Sequence, residues 1–199
     1  MRDSSDWKPL ISLAEVLRAP LIKTEPENQL HSYHIISIRD FPPAGYLPRP
    51  ERVIHIGEQV QRAKNFALQP YDVLVTIAGT IGHVTIAPPK CPRNWVPATN
   101  MFLVRFADDP DGSKSRTFYG LMKSSFGQDL MDTLAHGKGI QIVSKKTFSR
   151  TLLPPFTPET MQAFEKLWKE EMELYQRSMR LLEEANQVFA EAEVKSIVA

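Results

Sequence analysis

The stretch from Pro158 to Val194 leaves this chain the fewest choices. Apolar residues return every seven positions at Met161, Trp168, Tyr175, Leu182 and Phe189, and a second register runs beside them at Leu167, Leu174, Leu181 and Val188. No glycine or proline follows Pro158 and β-branched residues are few, so nothing interrupts a helix. At 1.5 Å per residue the stretch predicts a rod of roughly 50–55 Å. A globular core does not need so long a stripe, and a coiled-coil contact with a second long helix would bury it. The competing reading folds the rod back onto its own head. The chain thus divides into a compact domain over residues 1–157 and a spacer and dimerisation helix over 158–199.

Charge follows the same division. The formal charge of the 199 residues is +1, but from Glu159 onward nine acidic side chains face five basic ones. The rod therefore carries −4 and residues 1–158 carry +5. A polyanion would bind the head, and an ordinary solvated surface is the competing reading. No run approaches the 18 apolar residues of a membrane span, and the opening MRDSSDWKPL lacks an apolar signal region. The single cysteine, Cys91, reads as a small loop residue. It excludes an internal disulfide and fits a reducing, cytoplasmic setting.

Along the head, ISLAEVLRA predicts a one-to-two-turn helix stopped at Pro20, and KTEPENQ a polar loop. Tyr33–Ile38 and Arg52–Ile56 predict strands on either side of the turn cluster DFPPAGYLPRP. EQVQRAKNFALQP is a polar stretch whose Gln61, Arg62, Lys64 and Asn65 could reach phosphates or base edges. Asp72–Ile77 and His83–Ile86 predict a hairpin whose turn, AGTIG, uses Gly79 and Gly82 for positive φ. Met101–Phe106 predicts a further strand, and residues 116–135 show helical spacing with Gly127 as a point of division. HGKG is a glycine turn, IQIV a short strand, and Ser144 the N-cap of a short helix. Thr157 and Pro158 form the N-cap and first position of the rod. Together these runs predict an α+β fold: a compact, β-rich domain of mixed and antiparallel strands with short helices, then one long C-terminal helix.

Catalytic chemistry is hard to place. His31, His34, His55, His83 and His136 show no metal-ligand spacing, and no CxxC or HExxH is present. GTIGHV lacks the spacing of a phosphate loop and runs into a strand, not a helix N-terminus. No serine sits in a GxSxG elbow. The pairs in LPPF and DFPPAG lack the Asn or Asp that adenine amino-methyltransferases place before Pro-Pro-aromatic. The expectation is a non-catalytic chain with no metal and no cofactor.

The ordered set formed by Trp7 and Leu10, DVLVTIAGTIGHVTI, HGKGIQIVSKKTFSRTLLPPFTPE and the long helix resembles the specificity subunit of type I restriction–modification systems. It is similar to one target recognition domain followed by its spacer helix. Leu153 stands where that family usually has Ile, and Phe156 where it has a second proline. The resemblance implies sequence-specific binding of double-stranded DNA without catalysis. It also implies partnership with a DNA adenine methyltransferase subunit and, where a motor is present, a restriction subunit. One domain and one helix imply a half-length form that would dimerise through the rod and read a bipartite site.

On that reading Lys and Arg would contact phosphates, while Arg, Lys, Asn and Gln would read bases. The candidates are Arg62, Lys64 and Asn65 before the central hairpin, Thr80 and His83 on it, and Arg93 and Asn94 after it. Lys138, Gln141, Lys145 and Lys146 follow from the second glycine turn and the short helix. Asp72, Trp7 and Phe126 are expected to serve the fold. The rod's packing residues would be Met161, Leu167, Trp168, Leu174, Tyr175, Leu181, Leu182, Val188 and Phe189. The alternative from another class is a protein-binding adaptor, bound to no nucleic acid, that assembles through the same helix.

Overall fold

Valine, isoleucine and aromatic residues gather between prolines and glycines in the first hundred positions, and most of those runs become strands. The computed structural model describes residues 6–25 and 31–198, with side chains described to Ala190. Nine strands occur among them: β1 (Lys8–Pro9), β2 (Ala14–Arg18), β3 (His31–Ile36), β4 (Val53–Ile56), β5 (Val73–Thr76), β6 (Val84–Ile86), β7 (Trp95–Pro97), β8 (Met101–Phe106) and β9 (Leu152–Leu153). The helices are α1 (Val60–Phe66), α2 (Ser113–Lys123), α3 (Ser125–Leu134), α4 (Lys145–Ser149) and α5 (Pro158–Val198). No helix among the described residues is long and apolar enough to cross a membrane.

A four-stranded antiparallel sheet in the order β2-β8-β5-β6 forms the centre. Strand alternation sends Val73 and Val75 of β5 and Phe102, Val104 and Phe106 of β8 to one face, where they meet Phe118, Met122, Phe148 and Trp168 from the helices. Leu74, Met101 and Leu103 point the other way, onto Ile36 and Trp95 of a three-stranded sheet, β4-β3-β7. That second sheet is mixed, with β3 antiparallel to β4 and parallel to β7. Its Tyr33, Ile54, Ile56 and Val96 pack on Ala63 of α1. Being covered on both faces, β5 and β8 read as nearly continuous apolar runs. The pair β1-β9 ties the N-terminal segment to the chain just ahead of α5.

Four local expectations need correction. ISLAEVLRA is not a helix: Leu10–Ser12 makes a single 3-10 turn, and Ala14–Arg18 pairs along its whole length with β8. Leu13, Val16 and Leu17 have the i, i+3, i+4 spacing of a helix, but Ala14 and Val16 are buried in strand alternation and five residues of ladder decide for the strand. The polar stretch after Glu58 contains a helix, α1, seated through Ala63. IQIV makes only bridges, Ile142 to Ala78 and to His136. The helical region before it divides at Ser124, which caps α3 by accepting from Gly127 N, while Gly127 lies within that helix. Of the polar loop KTEPENQ, residues 26–29 lie outside the described part.

The rod is present, 41 residues long, with Thr157 Oγ1 accepting from Thr160 N at its start. Its two registers part company. Met161 and Tyr175 are partly buried, and Trp168 packs on the chain's own head, only 8% exposed between Tyr46 and Tyr119 with ring centroids at 5.0 and 5.2 Å. Arg116 Nε donates to Glu165 at 2.6 Å and Lys123 Nζ to Glu171 at 2.6 Å, tying α2 to α5. Leu167 and Leu174, in the other register, are exposed. From Gln176 to Ala190 every residue is exposed, roughly 22 Å of bare helix. The fold-back reading therefore holds for the first turns, which lie on the head, while the later turns project from it.

Candidate nucleic-acid interface

The exposed polar candidates fall into two groups at opposite ends of β5, with a pair of lysines apart from both. The first group lies at the strand's beginning. Arg62, Lys64 and Asn65 project from α1, and Lys64 shares a cleft of about 970 Å³ with Tyr33, Gln69, Cys91, Arg93 and Asn94. α1 is held by more than its apolar face. Gln59 Nε2 donates to Lys23 O and Glu25 Oε1, both at 3.1 Å, and Glu25 Oε2 accepts from Gly57 N at 3.0 Å. Asn94 has a second duty: its side-chain amide donates to Ser32 O at 3.3 Å and its carbonyl accepts from His34 N at 2.8 Å. It holds the loop to β3 and presents Arg93, which is exposed.

Cys91 in this cleft is half-buried, and burial, seconded by the Asp72 carboxylate, pushes its thiol up to about 12. Such a thiol stays protonated and is a poor nucleophile. Asp72 is 1% exposed and forms a fork with Arg105, whose Nε and Nη2 donate at 2.8 and 2.7 Å. It also accepts from Gln69 N at 2.7 Å, fixing the turn into β5. Asp72 thus serves the fold. Trp7 and Phe126, in edge-to-face contact at 5.9 Å, join the N-terminal segment to α3.

The second group lies past the end of β5. Gly79 and Gly82 take φ of +75° and +84°, the left-handed conformation the turn requires. Thr76, fully buried, accepts from His83 N at 3.0 Å and donates to Thr80 O, so the tip is pinned from inside. Gln128 of α3 donates to Gly82 O at 3.0 Å from outside. Thr80 and His83 are exposed on this braced tip. The loop of Lys138 and Gln141 stands beside it, closed by paired bonds between His136 and Ile142 and joined to the tip's base by Val143 N donating to Ile77 O at 3.0 Å. Lys145 and Lys146 project from α4, whose Ser144 cap accepts from Thr147 N as its sequence predicts.

Gln61, named in the polar stretch but left out of the candidates that follow from it, gains a partner in the structure. Its Nε2 donates to Asn65 Oδ1 at 3.0 Å along the exposed face of α1. The i,i+4 spacing was visible in the sequence, but only once the stretch is known to be helical do the two amides meet.

No family model matches the chain, and no curated protein matches it. Solved structures do. A type I restriction–modification S subunit from M. genitalium aligns over 87% of this chain and 40% of its own, at 16% identity and TM-score 0.57. The HsdS subunit from Thermoanaerobacter tengcongensis aligns over 88% of this chain and 39% of its own, at 14% identity and TM-score 0.51. The type IIG restriction endonuclease BpuSI matches 83% of this chain with 26% of its own length, at 10% identity and TM-score 0.62. The chain spans about two-fifths of the S subunits it matches, and at these identities the likeness is one of fold.

Proposed function

We propose that the chain is a DNA sequence-specificity subunit of a type I restriction–modification system in half-length form. Its head reads one part of a bipartite DNA site, its rod pairs with a second copy, and the assembly directs a methyltransferase subunit to adenine. The carrying observation is the combination of one S-subunit-like head with one long helix fixed to it, over nearly nine-tenths of the chain. The +5 charge of the head against −4 for the rod supports placing DNA on the head.

The test is binding of purified chain to duplex DNA over a range of salt. Each phosphate contact releases a counterion, so a DNA-reading head gives a log–log slope of about −0.9 per contact, and several contacts give a steep one. A slope near zero favours the protein-binding adaptor and removes this proposal. The likeness to the type IIG enzyme supports a second reading, in which the same fold is the recognition module of a longer polypeptide. The intact mass of the natural polypeptide separates the two.

A further inference from the structure

Two side-chain amides on α1 form a unit whose chemistry is more specific than a basic patch. Gln61 and Asn65 are both exposed and hydrogen-bonded to one another at 3.0 Å. Each amide has one carbonyl and one NH2 group, and their mutual bond engages one of each. One carbonyl and one NH2 are left out of that bond, on exposed residues one turn apart on the same helix face. Reversing both amides exchanges which residue supplies which group and leaves the same pair. Adenine in the major groove presents the complement, its N6–H2 donor beside its N7 acceptor. Guanine presents two acceptors there, thymine an acceptor and a methyl group, and cytosine a donor alone, so none of these matches.

The mounting suits this use. α1 is seven residues, about 10 Å long, against a major groove about 12 Å wide. Its inner face is fixed by Ala63, which has no exposure, and its foot by the Gln59, Lys23 and Glu25 bonds. The pair is therefore presented by a braced element. Arg62 and Lys64 flank it, and Arg93 stands across the cleft from Lys64. Cations on both sides of a neutral donor–acceptor pair suit phosphates on either side of a groove. We infer that α1 is the base-reading element of the head, that the Gln61–Asn65 pair reads one adenine, and that Lys64 holds the backbone. This rests on the DNA-reading role proposed above and adds which element reads and which base it selects.

Selection of randomised duplexes by the full chain tests it. The wild-type chain is expected to enrich a sequence with a fixed adenine, and Gln61→Ala with Asn65→Ala to lose preference at that one position by about 5- to 150-fold. Both replaced side chains are neutral, so the salt slope stays as in the wild type. Lys64→Ala is expected to do the reverse, lowering the slope by about one while leaving the selected sequence unchanged. If the double variant enriches the same sequence as strongly, the amides only brace the helix and the inference falls while DNA reading stands. A loss at a position other than adenine overturns the base assignment. If the wild-type chain enriches no sequence, the DNA reading itself fails and takes this inference with it.

Discussion

At the scale of single residues, the buried ion pair and the buried thiol make the sharpest demands. Arg105 is the only cation bonded to Asp72 among the described residues, and it does so through both nitrogens of the fork. Arg105→Met would leave a carboxylate 1% exposed without its partner. Losing one member of a buried pair costs about 3–5 kcal/mol, and the 20% exposure of Arg105 sets the lower end as the expectation. Urea unfolding reads the loss directly, and adding Asp72→Asn is expected to recover part of it. Cys91 gives a prediction in pH. With its thiol raised to about 12 against an ordinary 9, it holds roughly a thousandfold less thiolate than an unfolded chain at neutral pH. Alkylation by iodoacetamide at pH 7.5 is expected to be slower by about that factor in the folded protein. Because the raised thiol keeps its proton when folded, it adds no pH dependence below about pH 9 and lowers stability as pH climbs from 9 toward 12. Comparing the urea midpoints of the wild-type chain and Cys91→Ala across that range isolates the effect. An equal alkylation rate in native and unfolded protein would refute the assignment.

At the scale of elements, the joint between α2 and α5 decides how the rod leaves the head. Trp168 fills the space between Tyr46 and Tyr119, so Trp168→Ala is expected to cost about 3–5 kcal/mol and to raise hydrogen exchange through the first turns of α5. Gly120 lies against Phe164 of α5, and a Cβ there would lie 2.5 Å from Phe164 Cε1. Gly120→Ala is expected to destabilise by about 1–3 kcal/mol, with Phe164→Leu restoring part, as urea titrations of the three variants would show. The Lys123–Glu171 bridge is a third exposed on each side and contributes at most about 1 kcal/mol. The joint also explains what the sequence made legible. The heptads were plain in the sequence, but the division of labour between the two registers was not, because Trp168 and Leu167 are equally apolar and only α2 tells them apart. β5, β6 and β8 could be read from their β-branched runs and the glycine turn, since each is an apolar run bounded by breakers. Ala14–Arg18 could not, because Leu13, Val16 and Leu17 carry the i, i+3, i+4 spacing of a helix and the ladder to β8 is not a local property. α1 was missed for the opposite reason: Ala63 is the one residue it buries fully, so its stripe is too thin to announce a helix. The same thinness leaves Gln61, Arg62, Lys64 and Asn65 outside, where the candidate interface needs them.

At the scale of the whole molecule, the proposed pairing of two chains follows from which register the head leaves uncovered. Leu167, Leu174, Leu181 and Val188 are 55–67% exposed and lie seven residues apart along the helix. In an antiparallel pair centred between Arg177 and Ser178, Leu167 meets Val188 of the second copy and Leu174 meets Leu181, so one stripe completes itself under a two-fold axis. Leu182 and Phe189 lie one position beside that stripe and widen it beyond the reach of the head. The two heads then sit at opposite ends of a single rod, each docked through its own Trp168, and the helix length fixes their separation. Such a molecule reads two half-sites of opposite orientation with constant spacing. Leu181→Glu combined with Val188→Glu places carboxylates along the seam, on the exposed part of the helix beyond the head joint. The wild-type chain is expected to sediment as a dimer at micromolar concentration and the double variant as a monomer with unchanged thermal stability of the head. The variant's affinity for a single half-site should stay within about twofold, while its gain from a second, correctly spaced half-site should vanish, since that gain comes from linkage and not from new contacts. A wild-type chain that sediments as a monomer, or a variant that keeps the spacing-dependent gain, would refute the two-headed arrangement and leave the head to find its second reading surface in another polypeptide.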